Sequence, residues 1–174
     1  MTTIGVAIAV PDPWGARLQD YRMTLGDDRA FGIPTHITLV PPYDIADAGL
    51  PAVEQHLAQA CTTTASFRVR LRGTGTFRPV SPVVFVAVAE GIGGCEQLAL
   101  SVRRGPLTCD PDFPYHPHVT VAHHLEDPLL DKAFEDMADF ECDFVADRFA
   151  LYVHDGEEGW VPTRDYPLAP TGDA

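Results

Sequence analysis

Strand-like and helix-like segments follow the same order in the two halves of this chain of 174 residues. In each half, apolar runs of strand period and apolar spacings of helical period alternate from strand to helix to strand to helix to strand. The spacing also agrees, since Val6 precedes His36 by 30 positions and Val86 precedes His118 by 32. An internal duplication accounts for both observations, and it would place equivalent strands face to face across a cleft.

The duplication predicts one domain over residues 1–174, with two lobes at about 1–82 and 83–170. The lobes would be related by a pseudo-two-fold axis, and a strand of one lobe could pair in the sheet of the other. Pro41 and Pro42 are expected to end the second strand. A turn is expected at 73–82. The predicted strands are 4–10, 35–40, 67–72, 83–89, 118–122, 144–153 and 160–168, and the predicted helices are 14–25, 50–61, 94–104 and 127–140.

The second strand of each half carries the same pattern, a histidine, an apolar residue, a threonine and an apolar residue. The copies are His36-Ile37-Thr38-Leu39 and His118-Val119-Thr120-Val121. Because alternate side chains of a strand share a face, the histidine and threonine of each copy are expected to face the cleft while the apolar pair enters the core. A single triplet of this kind arises easily by chance, but two copies at equivalent places of a duplication indicate function.

The four polar residues suit phosphodiester cleavage, which requires a base for the nucleophile, an acid for the leaving oxygen and donors for the phosphoryl oxygens. Imidazole, with an ordinary pKa of about 6.5, can fill both proton roles near neutral pH. Threonine hydroxyls can donate to the phosphoryl oxygens without a metal. We therefore predict His36 and His118 as the catalytic pair and Thr38 and Thr120 as phosphate-binding residues, with no metal and no cofactor.

The paired tetrads, about 80 residues apart in a chain of this length, resemble the 2H phosphoesterase superfamily. The segments HITLVPPY and FPYHPHVTVAHHL are most similar to its bacterial branch of 2′-5′ RNA ligase-like proteins and RNA 2′,3′-cyclic phosphodiesterases. The resemblance covers most of the chain and implies a bilobal α+β fold with two antiparallel sheets around a central groove. It also implies hydrolysis of a nucleoside or RNA-terminal 2′,3′-cyclic phosphate, with His118 as the base toward water and His36 as the acid toward the leaving ribose oxygen.

Three residues near the motifs are further candidates for substrate binding. Tyr43 and Tyr115 flank the motif strands, where they could stack on a base or, equally well, close the core. Arg78 lies at the end of the turn before the fourth strand, where it could reach a phosphate or serve as an ordinary surface arginine.

Additional histidines around His118 leave a metallohydrolase open as an alternative. His116, His123 and His124 crowd the second motif, although His123 would point away from His118 on a regular strand. No carboxylate nearby completes a set of metal ligands. Full activity in excess chelator would exclude this alternative.

The formal net charge of −13 opposes a stable complex with long nucleic acid, because polyanion binding depends on cationic groups that displace counterions. A local cluster, Arg68, Arg70, Arg72 and Arg78, runs against this average. We therefore expect a small nucleotide or an RNA end as the substrate. A reversible 2′-5′ RNA ligase is disfavoured by the charge, and a non-catalytic nucleotide-binding module is disfavoured because binding alone does not require an acid-base pair.

The sequence also bears on location. The N-terminal apolar run 4–10 is short for the core of a signal peptide and lacks a basic start. No stretch approaches the ~20 apolar residues of a membrane helix, and the four cysteines lack metal-type spacing. These features predict a cytoplasmic protein with reduced thiols and no membrane partner, and its two complementary lobes favour a monomer.

Overall fold

The computed structural model describes residues 1–171, which form eight β-strands and four α-helices joined by turns and short 3₁₀ segments. The strands are β1 Thr2–Ala9, β2 His36–Ile45, β3 Phe67–Thr76, β4 Val83–Glu90, β5 His118–His123, β6 Glu141–Ala146, β7 Arg148–Asp155 and β8 Gly159–Pro167. The helices are α1 Trp14–Thr24, α2 Leu50–Ala60, α3 Ile92–Val102 and α4 Asp127–Asp136. None of these helices is long and apolar enough to cross a membrane.

The strands form two four-stranded sheets in which every pair of neighbours is antiparallel. The first sheet has the order β2-β1-β7-β8, and the second has the order β5-β4-β3-β6. The two histidine strands, β2 and β5, therefore occupy equivalent edges, and they lie against each other where the sheets meet. The α+β fold with two antiparallel sheets is confirmed.

The two sheets do not coincide with the two halves of the sequence. β3 comes from the first half but lies inside the second sheet, whereas β7 and β8 come from the second half and complete the first sheet. β3 and β7 occupy equivalent places, each beside the first strand of a repeat. This exchange ties the halves together, because each sheet contains strands from both.

β2 continues through Pro41 and Pro42 to Ile45, so the prediction that these prolines end the strand is wrong. In the register with β1, both prolines fall where β1 has only Gly5, which marks a bulge. A proline removes a donor from a ladder, but a bulge on an edge strand tolerates that loss.

The segment predicted as one strand over 144–153 is two strands in different sheets. β6 ends at Ala146, and β7 begins after Asp147 at Arg148. The residues on both sides of Asp147 are typical of strands, so periodicity alone contains no signal for the break.

The predicted turn at 73–82 is shorter in the structure, because β3 extends to Thr76. Gly73 has a φ of +79° and lies at a register shift between β3 and β4. Glycine adopts this left-handed conformation without the steric cost of a Cβ, so the strand bends at Gly73 and continues.

One face of each sheet is buried beneath the helices. Along β1, Ile4, Val6 and Ile8 are at most 1% exposed, and they alternate with Gly5 and Ala7 on the other face. All four helices contribute side chains to the same core cluster: Leu18, Val53, Leu57, Leu98, Val102, Leu130 and Ala133. The uncovered faces of the sheets are therefore the ones available for a site.

Candidate active site

The first motif lies on β2 with its polar and apolar residues on opposite faces. Ile37 and Leu39 are fully buried, whereas His36 and Thr38 are partly exposed. Thr38 pairs with Ala7 of β1, and His36 pairs with the next residue on that face, Ala9. Strand alternation thus places the histidine and the threonine side by side on the face that the helices leave open.

The second motif repeats this arrangement on β5. Val119 and Val121 are fully buried, and His118 and Thr120 are partly exposed. In the register with β4, Thr120 pairs with Phe85 and His118 pairs with Ala87. The two histidines therefore occupy equivalent positions on the two contacting edge strands.

Each catalytic candidate is held by the same backbone bond. His36 Nδ1 lies 2.6 Å from the carbonyl oxygen of Pro34, and His118 Nδ1 lies 2.7 Å from the carbonyl oxygen of His116. A carbonyl oxygen only accepts, so Nδ1 must carry the proton in both rings. The neutral rings consequently present Nε2 as a proton acceptor, and the charged rings present it as a donor.

The pKa of both histidines is lowered. For His36 the main cause is burial, and the positive charge of Arg22 adds to it, while the bond to Pro34 acts in the opposite direction. For His118 the main cause is again burial, opposed by the bond to the His116 carbonyl and reinforced by the charges of His116 and His36. The charge on one catalytic candidate therefore disfavours a charge on the other.

The surroundings of His118 are filled by aromatic rings. The Phe77 ring centroid lies 4.9 Å from that of His118 at an interplanar angle of 89°, and the Phe85 centroid lies 5.3 Å away. His116 packs against the same two phenylalanines. These contacts fix the plane of the His118 ring.

His36 is partly buried, but its surroundings include a pocket. The pocket borders His36 and Thr38, and its empty volume is about 430 Å³ when the part open to solvent is included. Its other walls come from β1, from the bulge of β2 and from the last two strands, and they include Gly5, Ala7, Pro41, Pro42, Tyr152 and Trp160. The two motif histidines are thus equivalent in position but have different neighbours.

A pair of side chains links the exposed edge of β2 to the segment before β5. The Tyr115 hydroxyl donates to the carbonyl oxygen of Thr38 at 2.9 Å, and Arg103 Nε donates to that of Leu39 at 2.6 Å. The Arg103 guanidinium lies 4.9 Å from the centre of the Tyr115 ring. Burial raises the pKa of Tyr115, so its hydroxyl stays protonated and able to donate. This clamp holds the two motif strands at a fixed separation.

The structure gives the other predicted binding residues different surroundings. Tyr43 pairs with Ile4 and packs against the core, and Tyr115 contacts β2 by its hydroxyl, so neither borders the pocket. Arg78 forms ion pairs with two carboxylates of α4, Asp131 at 2.9 Å and Asp127 at 3.6 Å.

The arginine cluster on β3 is partly neutralised. Arg68 forms an ion pair with Asp143 at 2.9 Å, and Arg70 forms ion pairs with Glu141 and Glu90. In the sheet register, Asp143 and Glu141 each lie two residues along β6 from the residue opposite their arginine, so each pair is diagonal on one face of the sheet. The positive stripe that the sequence predicts is therefore largely paired.

The extra histidines do not converge. The His116 and His118 ring centroids lie 6.0 Å apart, and His123 stacks on His124 at 3.7 Å. Across residues 1–171, no group of three or more histidine, cysteine, aspartate or glutamate side chains has the geometry to hold a metal ion.

The sizes of the residues along β1 are a sequence signal for the pocket. In β1, the small residues Gly5, Ala7 and Ala9 alternate with large apolar ones. The face that the helices leave uncovered therefore carries only short side chains, which leave room for a pocket. Trp160 and Tyr152, by contrast, reach the pocket only through the strand order of the first sheet.

Two histidine-threonine pairs on contacting edge strands are the arrangement expected of a 2H phosphoesterase. The chain belongs to the 2′-5′ RNA ligase superfamily, whose profile matches residues 10–158. It is 26% identical over 144 residues to an Oceanobacillus iheyensis protein that carries a phosphoesterase name, a match that covers 82% of this chain and 84% of the relative. A Halalkalibacterium halodurans protein with a name of the same kind is 24% identical over 166 residues, covering 94% and 96%.

Solved structures share the fold. E. coli LigT, determined with NADP⁺, has a TM-score of 0.66 and 18% identity, and the match covers 97% of this chain and 98% of that one. LigT determined with 3′-AMP has a TM-score of 0.64 and 20% identity, covering 96% and 98%. A protein from Thermus thermophilus has a TM-score of 0.64 and 23% identity, covering 99% and 100%.

Proposed function

We propose that the protein hydrolyses a nucleoside or RNA-terminal 2′,3′-cyclic phosphate without a metal, with His36 and His118 as its acid-base pair. The observation that carries this proposal is the shared bond from Nδ1 to a backbone carbonyl, which leaves Nε2 of each ring available for proton transfer on a strand face that also carries a threonine. Membership of the superfamily and the phosphoesterase names of the relatives support the same chemistry.

In the proposed reaction, His118 acts as the base and His36 as the acid. His118 Nε2 takes a proton from water while the water oxygen forms a bond to phosphorus. The bond from phosphorus to one ribose oxygen breaks, and protonated His36 gives its Nε2 proton to that oxygen. The product is a nucleoside 2′- or 3′-monophosphate, or an RNA with a terminal 2′- or 3′-phosphate. Exchange of protons with solvent then returns His118 to its neutral form and His36 to its protonated form.

The lowered pKa values suit a pair that gains its acid proton only with substrate. In the free protein, both rings favour the neutral form because burial penalises the charge. A bound phosphodiester is an anion, and its charge favours protonation of one neighbouring ring. The hydroxyls of Thr38 and Thr120 donate to the non-bridging oxygens, whose negative charge increases in the transition state.

A small substrate fits the charges around the site. Arg68 and Arg70 of β3 are paired with carboxylates, so a long polyanion would have to compete with Asp143 and Glu141 for them. The LigT structures determined with 3′-AMP, ATP and NADP⁺ contain nucleotides of the size that we propose.

Turnover of the four nucleoside 2′,3′-cyclic phosphates in excess chelator tests the proposal. We expect the wild type to open the ring, and His36→Ala and His118→Ala each to lower kcat by about 10²–10⁴ fold. His56→Ala, which removes a histidine of α2 outside the site, is the matched control and should retain wild-type kcat. Loss of wild-type activity on chelation would contradict the proposal, as would a fully active single variant of the pair.

A further inference from the structure

The pocket beside His36 occupies the place where the other sheet has an aromatic ring. On β4, Phe85 lies opposite Thr120, and its ring covers Gly75 of β3 so closely that a Cβ at Gly75 would lie 2.5 Å from it. On β1, the residue opposite Thr38 is Ala7, and its neighbour across β7 is Ala150. At the position opposite the motif threonine, the second sheet therefore has the phenyl ring of Phe85, and the first sheet has only the methyl group of Ala7.

The walls of the pocket are flat and apolar. The Trp160 ring lies directly above Gly5, where an added Cβ would be 3.3 Å from it. Tyr152 is only 7% exposed and forms a small cluster with Ala7 and Ala150 against which Trp160 packs. Trp160 itself is partly exposed, so one part of its ring is available to a ligand.

We propose that this pocket binds the base of the nucleotide substrate, with the base packed against Trp160 and Tyr152 over Gly5 and Ala7. The inference rests on the proposed function and adds to it the orientation of the substrate. A heteroaromatic base matches the shape and the apolar character of these walls, and stacking on aromatic side chains accepts any base. Since stacking would supply most of the contact with the base, we infer weak base selectivity.

The orientation assigns the roles of the two histidines. If the base lies on the His36 side, the ribose and its leaving oxygen lie next to His36. Attack on phosphorus comes from the opposite side, where His118 is held by Phe77 and Phe85. His36 is then the acid and His118 the base.

The test compares ligands that differ only in the base. The affinities of 3′-AMP and ribose 3-phosphate are measured by calorimetry for the wild type, for Ala7→Phe and for Trp160→Ala. We expect the wild type to bind 3′-AMP about 5- to 100-fold more tightly than ribose 3-phosphate. This ratio should fall toward one in both variants, since Ala7→Phe fills the pocket with the ring that Phe85 has in the other sheet.

Ala52→Phe adds the same ring at an exposed position of α2 and should keep the wild-type ratio. A base-dependent ratio that survives in both pocket variants would overturn the inference, as would equal affinities in the wild type. The two proposals fail separately. If no cyclic phosphate is opened but the ratio is high and is lost in Ala7→Phe, the hydrolytic function fails and the base pocket stands. If cyclic phosphates are opened but the ratio is one, the function stands and the pocket assignment fails.

Discussion

The His36 strand and the His118 strand hold their histidines by the same backbone bond, but the two rings have different neighbours. Both histidines lie on an edge strand, both donate Nδ1–H to a carbonyl two residues earlier, and both are followed by a threonine on the same face. Beside His118 the space is filled by Phe77 and Phe85, and beside His36 it is a pocket. In the proposed mechanism, duplication accounts for the paired acid and base, and the different neighbouring positions account for a single substrate orientation.

The two threonines provide the sharpest test of the shared chemistry. Thr38→Val and Thr120→Val keep the side-chain shape but remove a donor to a phosphoryl oxygen. We expect each change to lower kcat by about 10² fold, because such a donor acts mainly on the transition state. Thr62→Val, at the exposed end of α2, is the control. A loss in only one of the two variants would show that the equivalent positions do not share a role.

The clamp between the strands is expected to have the next largest effect. Tyr115→Phe removes the hydroxyl that donates to Thr38 and lets the two histidine strands shift relative to each other. We expect kcat to fall by about 10-fold with little change in KM, since small misplacements of catalytic groups act on the chemical step. Tyr21→Phe removes a hydroxyl that donates to exposed Asp136 and should leave kcat unchanged. If Tyr115→Phe lowers the thermal stability but leaves kcat unchanged, Tyr115 has only a structural role.

The pH dependence of kcat/KM tests the difference in charge environment. The pKa of both proposed catalytic histidines is lowered, so the state in which the pair carries one proton is most populated on the acid side of about 6.5. We expect kcat/KM to be highest there and to fall as the pH rises toward 8. His116→Gln removes a charge that lowers the pKa of His118 alone, so it should move the profile to higher pH by a few tenths of a unit. A wild-type maximum above pH 7 would contradict this account.

The smallest expected effect is on stability, at the end of β5. Burial, with the charges of His124, Arg22 and Arg29, lowers the pKa of His123 to about 4. A histidine with a depressed pKa in the folded state contributes stability that is present above its unfolded value, about 6.5, and lost as the pH falls toward 4.

Between pH 7 and pH 5, we therefore expect the wild type to lose about 1 kcal/mol more unfolding free energy than His123→Gln. Urea unfolding at the two pH values measures the difference. His154→Gln, at an exposed position of β7, is the control. Equal acid sensitivity of wild type and His123→Gln would show that His123 is not the group responsible.

The local parts of the fold and site could be predicted because they depend on neighbours in the sequence. Alternation along β2 and β5 places His36 with Thr38, and His118 with Thr120, because side chains two apart in a strand share a face. The shared face of each histidine and its threonine does not depend on which strands pair with β2 and β5. The antiparallel sheets are expected only from the resemblance to the 2H phosphoesterase superfamily, because alternation of strands and helices by itself is typical of a parallel sheet.

Other parts depend on long-range pairing, which periodicity does not contain. Pro41 and Pro42 fit inside β2 only because that strand is at an edge and has a bulge there. The break at Asp147 separates strands of two sheets, and Trp160 reaches the pocket only because β8 pairs with β7. The Nδ1 bonds depend on the path of the backbone just before each strand, which the residue types do not determine.

The most direct test of paired histidine catalysis is the kcat for one cyclic nucleotide, 2′,3′-cyclic AMP, in excess chelator. The proteins compared are the wild type, His36→Ala, His118→Ala and the double variant. Because an acid and a base that act in one step form a single unit, we expect the double variant to be no more than a few-fold slower than the slower single variant. Losses that multiply in the double variant would show that the two histidines act independently and would contradict the account.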